Sequence, residues 1–213
     1  MTTTDSTYDA ARRVEELRTQ SLTDGHAAKE AAWDWIEELQ AVGRSDSDSA
    51  DGQLNELFRL GVPPLGLDGP TDGILVMTTT NPVVDAAVKA VTALWMPWQG
   101  KRFVADAGTG DNRMTGVAAL ASKLLWPLYS MKDAEAGKLA FDFKTYVEAG
   151  KLDPDREVMV IDYADIESNP MLIIRSIRDE LVEIVTGCYL GKILYRTPND
   201  KHLMVGYFAL RTP

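Results

Sequence analysis

The ten residues LWMPWQGKRF, from Leu94 to Phe103, place aromatic rings beside a Lys-Arg pair. Lys101 and Arg102 are neighbours, so on a strand their side chains point to opposite faces. One of them can turn inward to meet an anionic or enolate oxygen, or both can be solvated. Trp98 and Phe103 can serve as core or line a ligand pocket, since large aromatic side chains suit both roles. We predict a ligand site at Trp98, Lys101 and Phe103.

Tyrosines form the second candidate set. A tyrosine offers an apolar body and one hydroxyl donor, which suits the orientation of an apolar substrate that carries a carbonyl. We expect two or more of the tyrosines on predicted strands to line a binding cavity. The candidates are Tyr146, Tyr163, Tyr189, Tyr195 and Tyr207.

Other catalytic constellations have little support, and no catalytic residue is assigned. With two histidines and the single Cys188, a nucleophilic triad or a histidine-rich metal site has few possible members. We predict no metal and no cofactor, with His202 as the candidate ligand should a barrel hold haem. Asp142 and Asp162 are either general acid–base groups facing an interior or solvated carboxylates on an exterior face. GTGDN lacks the Gly-Lys-Ser/Thr ending of a phosphate loop, which predicts a turn.

Composition limits the class of protein. The formal charge of −10 argues against a nucleic-acid partner, because duplex binding needs a basic surface. One cysteine allows no intrachain disulfide, and the sequence has neither an apolar signal core nor a membrane-spanning run. We predict a cytoplasmic protein without a membrane span.

Three regions follow from the periodicity of the chain. Residues 8–20 and 26–42 have helical patterns, and together they suggest a helical appendage over 1–43 that acts as a lid or as a homodimer contact. The polar stretch GRSDSDSADG predicts a linker over 44–53. Residues 54–213 then form the main domain.

Helices are expected early in this main domain, at LNELFRLG, at 81–95 and at 116–129, and the remainder is β-rich. GILVMTTT, KRFVADAG, KLAFDFKTYVEAG, EVMVIDYAD, CYLGKILYRT and HLMVGYFALR predict strands, and PND predicts the turn of a hairpin. MLIIRSIRDELVEIV fits a helix or a strand, and its second half favours a strand. The predicted fold class is β-rich α+β: a small antiparallel lipocalin-like β-barrel of about eight strands with peripheral helices.

The order of these motifs resembles a known family. LNELF, DGPTDG, ALWMPWQGKRF and Asn112, followed by YLGKILYR and GYFALR, are similar to the GXWXG-motif family of bacterial proteins and the domain of unknown function that follows that motif. The similarity covers roughly residues 54–211. The resemblance implies a lipocalin-like barrel in which a tryptophan floors the cavity. Here Thr71 stands where the family has that tryptophan, which implies a roomier pocket.

Two functions remain open at this stage. The first is an intracellular barrel that encloses an apolar small molecule and acts as a cyclase on a polyene or polyketide in natural-product biosynthesis. Such an enzyme works by substrate preorganisation and needs no cofactor. The alternative is a non-catalytic, lipocalin-like carrier of a lipid or haem.

Overall fold

A computed structural model describes residues 3–79, 98–116, 126–134, 137–171 and 173–213. The helix predicted over 81–95 lies outside the described residues, and so does most of the one predicted over 116–129. The elements below are those of the described parts of the chain.

Three helices open the fold: α1 (Thr3–Ser21), α2 (Gly25–Gly43) and α3 (Ser47–Leu60). The Asp24 side chain accepts a hydrogen bond from Ala27 N at the start of α2, and Asp46 caps α3 through Ser49 N in the same way. Each cap satisfies an N–H group that the first turn leaves without an intrahelical partner. The stretch predicted as a linker is therefore largely helical, because Asp46 begins a helix that continues through LNELF.

Ten strands follow the helices. They are β1 (Gly69–Pro70), β2 (Asp72–Thr78), β3 (Trp98–Val104), β4 (Thr109–Met114), β5 (Lys132–Ala134), β6 (Gly137–Ala149), β7 (Glu157–Asp162), β8 (Ile177–Val185), β9 (Cys188–Arg196) and β10 (His202–Arg211). The strand choice for the second half of MLIIRSIRDELVEIV is confirmed by β8. The turn predicted at GTGDN is wrong, since the turn ends at Gly108 and the following residues form β4.

The strands pair antiparallel in the order β1-β3-β4-β6-β7-β8-β9-β10-β2, and β5 adds to β6. β1 pairs with β3 at one edge, and β2 pairs with β10 at the other. Only Thr71 separates β1 from β2, so one continuous segment joins the two edges and nearly closes the barrel. The predicted β-rich α+β barrel is confirmed.

Two apolar cores lie on opposite faces of this sheet. The outer core packs the helices against the barrel wall, with Trp33, Ile36 and Leu57 beside Val182 and Leu190. The inner core lies on the lumenal face of the sheet, and its members include Phe103, Phe143, Tyr163, Leu181 and Phe208. The alternation of β8 and β9 side chains between the two faces follows the period of two in a strand.

The helices are part of the barrel's own packing. Arg18 in α1 donates to the carbonyl oxygens of Ile184 and Leu60, and Gln40 in α2 donates to Leu75 O. Residues 1–43 were expected to stand apart from the core as an appendage, yet α1 and α2 cover an apolar sheet face that would otherwise meet water. In the described parts of the chain, no helix is long and apolar enough to cross a membrane.

Candidate functional site

The barrel closes at β1, Thr71 and β2, and we call this place the seam. Here the motif block DGPTDG meets the block WQGKRF. Thr71 is fully buried; its backbone N–H and its hydroxyl both donate to Lys101 O, at 2.8 and 2.9 Å. Gly73 lies directly against the Trp98 ring, and a Cβ there would stand 2.6 Å from Trp98 Cζ3. Gly100 has φ +138 and passes the Thr71 carbonyl closely, which suits a residue without a side chain. The Thr71 side chain thus holds the seam together through its hydrogen bond to Lys101 O. Thr71 is fully enclosed by its neighbours, so it does not open the roomier pocket that was expected at this position.

Lys101 lies at the centre of a polar network inside the barrel. Its ammonium is fully buried and donates to Asn112 Oδ1 at 3.0 Å, Tyr163 Oη at 2.6 Å and Asp179 Oδ2 at 2.9 Å. Tyr163 in turn donates its hydroxyl proton to Asp179 Oδ2 at 3.0 Å. All three ammonium protons are therefore used, and β3, β4 and β8 are linked across the lumen.

Asn112 is held in one orientation by its neighbours. Its Oδ1 accepts from Trp98 Nε1 at 3.1 Å as well as from Lys101, and its Nδ2 donates to Phe141 O at 3.1 Å and to Tyr163 Oη at 3.3 Å. Phe141 adopts φ +51, an uncommon conformation for a residue with a side chain. That conformation belongs to an irregular register between β4 and β6 beside the network.

Aromatic rings surround the Lys101 ammonium. Its Nζ lies between 5.1 and 5.8 Å from the ring centroids of Trp98, Phe143, Tyr163 and Phe208. Ring faces attract a cation when it is desolvated. The site therefore combines one buried ion pair with an apolar, aromatic wall.

Asp179 has one oxygen that the network does not use. Its Oδ2 accepts from Lys101 and Tyr163, whereas Oδ1 is buried and has no hydrogen-bond partner among the described residues. An unpaired buried acceptor costs free energy comparable to a lost hydrogen bond. Asp179 Oδ1 is thus a place where a ligand O–H or N–H, or a water molecule, would gain an interaction.

Burial controls the proton affinities in the network. It lowers the pKa of the Lys101 ammonium from its ordinary value, against the attraction of the Asp179 carboxylate. It raises the pKa of the Tyr163 phenol well above its ordinary value, and the charge of Asp179 raises this pKa further. Tyr163 therefore stays protonated and remains a hydrogen-bond donor at neutral pH.

A second buried ion pair, between Lys192 and Asp153, lies on the outer face of the barrel and leaves no oxygen of its carboxylate vacant. Lys192 Nζ donates to Asp153 Oδ2 and Asn55 Oδ1, at 2.5 and 2.6 Å. Arg59 joins Asp153 to Asp155 on the same side. Here both Asp153 oxygens have donors, so this cluster fastens α3 to the barrel wall and leaves no vacant acceptor on Asp153.

The predicted site residues divide into two groups. Trp98, Lys101, Phe103, Tyr163, Tyr189 and Tyr195 belong to or pack against the inner core. Tyr207 does not line the lumen as expected, because it is buried in the outer core beneath the helices. Tyr146 is 41% exposed, faces outward in register with Val160 and donates its hydroxyl to Asp162.

Two central members, Asn112 and Asp179, were not among the predicted site residues. Asn112 was placed in a turn, although it pairs directly with Lys101 in the β3–β4 hairpin. Asp179 shares a face of β8 with Ile177 and Leu181, so its position on the apolar inner face was a signal for a buried carboxylate. The sequence patterns alone could not show that either residue contacts Lys101, because those contacts depend on which strands are neighbours.

The remaining candidates lie outside this site. Asp142 pairs with Lys132, and Asp162 accepts from Tyr146, so neither belongs to the lumenal network. His202, the first residue of β10, pairs with Arg196 and borders an outer groove. Within the described ranges, no cluster of histidine, cysteine and carboxylate side chains could hold a metal ion.

An open cavity of about 410 Å³ has Trp126, Tyr129, Asn169 and Met171 in its wall. Tyr129 stacks on Phe141 at 5.0 Å between centroids, and Asn169 donates to Tyr163 O at 3.3 Å. The cavity wall therefore shares direct neighbours with the Lys101 network. Trp126 Nε1 and Asn169 Oδ1 are buried without a hydrogen-bond partner in the part of the chain that is described.

Comparisons with known proteins add one structural likeness. No protein-family model matches this chain, and no curated protein is significantly similar to it. A crystal structure of a protein from Thermomonospora curvata shares 16% identity with it, at a TM-score of 0.45. That alignment covers 84% of this chain and 99% of the other.

Proposed function

We propose that the barrel encloses an apolar small molecule that carries a hydroxyl or N–H group, and that this group binds Asp179 Oδ1. The vacant, buried Asp179 oxygen beside the Lys101 ammonium is the observation that carries the proposal. Ligand pockets typically combine an apolar wall with a few placed polar groups, and the rings around Lys101 supply such a wall. A ligand would approach the network from the cavity at Trp126 and Tyr129, whose wall contacts Phe141 and Tyr163.

The catalytic form of this proposal is a cofactor-independent cyclase or isomerase acting on a polyene or polyketide. Asp179 Oδ1 would take the proton of a substrate hydroxyl while that oxygen adds to a double bond of the same molecule. The proton would then return to carbon, so substrate and product are isomers. The Lys101 ammonium would keep the carboxylate in place, and the aromatic wall would hold the reacting ends together.

The proposed resemblance to the GXWXG-motif family gains support from the seam. Residues of DGPTDG and of WQGKRF are in direct contact, since Thr71 binds the Lys101 backbone and Gly73 lies against Trp98. We propose that the two motif blocks recur together because they close the barrel.

A matched pair of probes tests the binding proposal. 2-Naphthol and 2-methoxynaphthalene have the same aromatic body, but only the first has an O–H donor. We expect calorimetric titration to show at least tenfold tighter binding of 2-naphthol, since a hydrogen bond to a charged group contributes about 1.5–3 kcal/mol.

The double variant Lys101→Met/Asp179→Leu should bind both probes equally, and Tyr146→Phe, which alters an exposed hydroxyl, should keep the preference. Equal binding of the two probes by the unaltered protein would contradict the proposed role of Asp179. No binding of either probe would contradict an accessible lumen.

A further inference from the structure

A groove of about 290 Å³ lies on the outer side of the barrel, away from the lumenal network. It is bordered by β6, β7, β8 and the β9–β10 hairpin, and we call it the arginine groove. Its cationic members are Lys151, Arg175, Arg178 and Arg196. Its carboxylates are Glu148, Asp162 and Asp200.

Arg178 gives the groove a buried donor with no acceptor. This residue is only 7% exposed; its Nε donates to Glu180 Oε1 at 2.9 Å, and its Nη1 pairs with Glu148 Oε1 at 2.6 Å. Its Nη2 is buried and has no hydrogen-bond partner among the described residues. A buried guanidinium N–H without an acceptor is costly, and a ligand oxygen would remove that cost.

Arg196 adds a second available guanidinium. It is exposed at the end of β9 and forms no ion pair with any described residue. By contrast, Glu148 is bound by Arg178 and Lys151, and Asp162 accepts from Tyr146 Oη and Ala164 N. The two carboxylates are thus occupied, whereas donors of Arg178 and Arg196 remain available.

The charge balance indicates the class of ligand. Four cationic side chains and three carboxylates line the groove, and the buried Glu180 carboxylate binds Arg178 and balances the fourth cation. A groove with no excess positive charge suits a monoanion held by the available guanidinium donors, because the surrounding carboxylates would repel an anion of higher charge. The half-exposed ring of Tyr146 gives an apolar surface for the body of such a ligand.

We propose that the arginine groove binds a small organic monocarboxylate through Arg178 Nη2 and the Arg196 guanidinium. Arginine suits this task because its planar N–H groups match the two oxygens of a carboxylate. The site is separate from the lumen, so it would be a second binding site with its own ligand.

His202 borders the groove and provides a direct readout. Burial lowers the pKa of its imidazole, and the charges of Arg178 and Lys151 lower it further against the opposite effects of Asp200 and Glu180. A bound anion would offset the two cations and raise this pKa. Since the chain has only two histidines, the variant His26→Gln leaves a single imidazole signal.

The test is a benzoate titration of the His26→Gln protein, followed by proton NMR of His202 at constant ionic strength. We expect a saturable shift of the imidazole signal and an increase in the His202 pKa, with no such shift from benzamide, the neutral analogue. Arg196→Gln should weaken binding at least tenfold. Arg156→Gln, an exposed arginine outside the groove, should leave binding unchanged.

Three results would overturn the proposal. A shift that chloride reproduces, or one that Arg196→Gln leaves unchanged, would show that benzoate does not engage the groove. Tighter binding of sulfate, a dianion, than of benzoate would exclude the monoanion preference. Because Arg196 is exposed, Arg196→Gln tests the groove without disturbing the buried Arg178–Glu180 pair.

Discussion

Lys101 of β3 and Asp179 of β8 meet inside the barrel, 78 residues apart in sequence, with Nζ and Oδ2 separated by 2.9 Å. Each side chain is only 1% exposed. A buried ion pair is weak support for stability, because desolvation opposes the Coulomb attraction. The pair is therefore weak evidence for added stability, and it holds the Asp179 carboxylate, with its vacant Oδ1, in place.

Removal of one partner of the Lys101–Asp179 pair should lower the free energy of unfolding strongly. Asp179→Asn leaves the Lys101 ammonium buried without its counter-charge, and we expect a loss of about 3–5 kcal/mol in the free energy of unfolding. Urea denaturation measures this. The double variant Lys101→Met/Asp179→Leu should lose less than Asp179→Asn, since neither charge is then left alone. A single variant as stable as the unaltered protein would show that the ammonium is not desolvated.

The contribution of the Tyr163 hydroxyl to the free energy of unfolding should also be measurable on its own. Tyr163→Phe removes a donor to Asp179 and an acceptor for Lys101, and we expect a cost of about 1–3 kcal/mol. Tyr146→Phe is the matched control, because its hydroxyl is at the surface and should change stability by less than about 0.5 kcal/mol. Equal effects of the two variants in urea denaturation would argue against a network centred on Tyr163.

Alkaline pH should destabilise the fold. Burial raises the pKa of Tyr129 to about 12 and raises the pKa of Tyr189 and Tyr207 as well. The unfolded chain loses these protons near pH 10, so above that pH the folded state binds more protons and stability falls as pH rises. Lys101 acts in the opposite direction below this range, because its lowered pKa means that the unfolded chain binds the extra proton.

Absorbance at 295 nm follows tyrosine ionisation directly. In the folded protein, part of the signal should appear only well above pH 10, together with unfolding, whereas in concentrated urea all tyrosines should titrate near pH 10. Identical titration curves with and without urea would contradict the burial of these hydroxyls.

Close packing at the seam predicts a contrast between two glycines. Gly73→Ala would push a methyl group into the Trp98 ring, and overpacking of this kind costs about 1–3 kcal/mol. At Gly52 in α3 a Cβ would meet nothing within 4 Å, so Gly52→Ala should stabilise the helix by about 0.5–1 kcal/mol. Thermal unfolding of the two variants should therefore shift in opposite directions. A neutral Gly73→Ala would contradict the contact with Trp98.

Local patterns predicted the barrel and part of its site, and their failures have physical causes. Alternation placed β6 to β10 correctly, and the inward turn of Lys101 was one of two open alternatives. The partners Asn112 and Asp179 depend on which strands are neighbours, which is a tertiary property that no local pattern carries. The Ser/Asp-rich segment 44–53 was predicted to be a linker, but Asp46 caps α3 there, because an aspartate begins a helix as readily as it occurs in a loop.

The most direct test of a lumenal ligand is native mass spectrometry of the protein purified from its own host, with the released small molecules identified. We expect a co-purifying apolar compound that carries a hydroxyl or N–H group, and we expect it to be missing from Lys101→Met/Asp179→Leu. A protein that is empty in both forms would contradict the proposed function. So would a compound retained equally by the double variant.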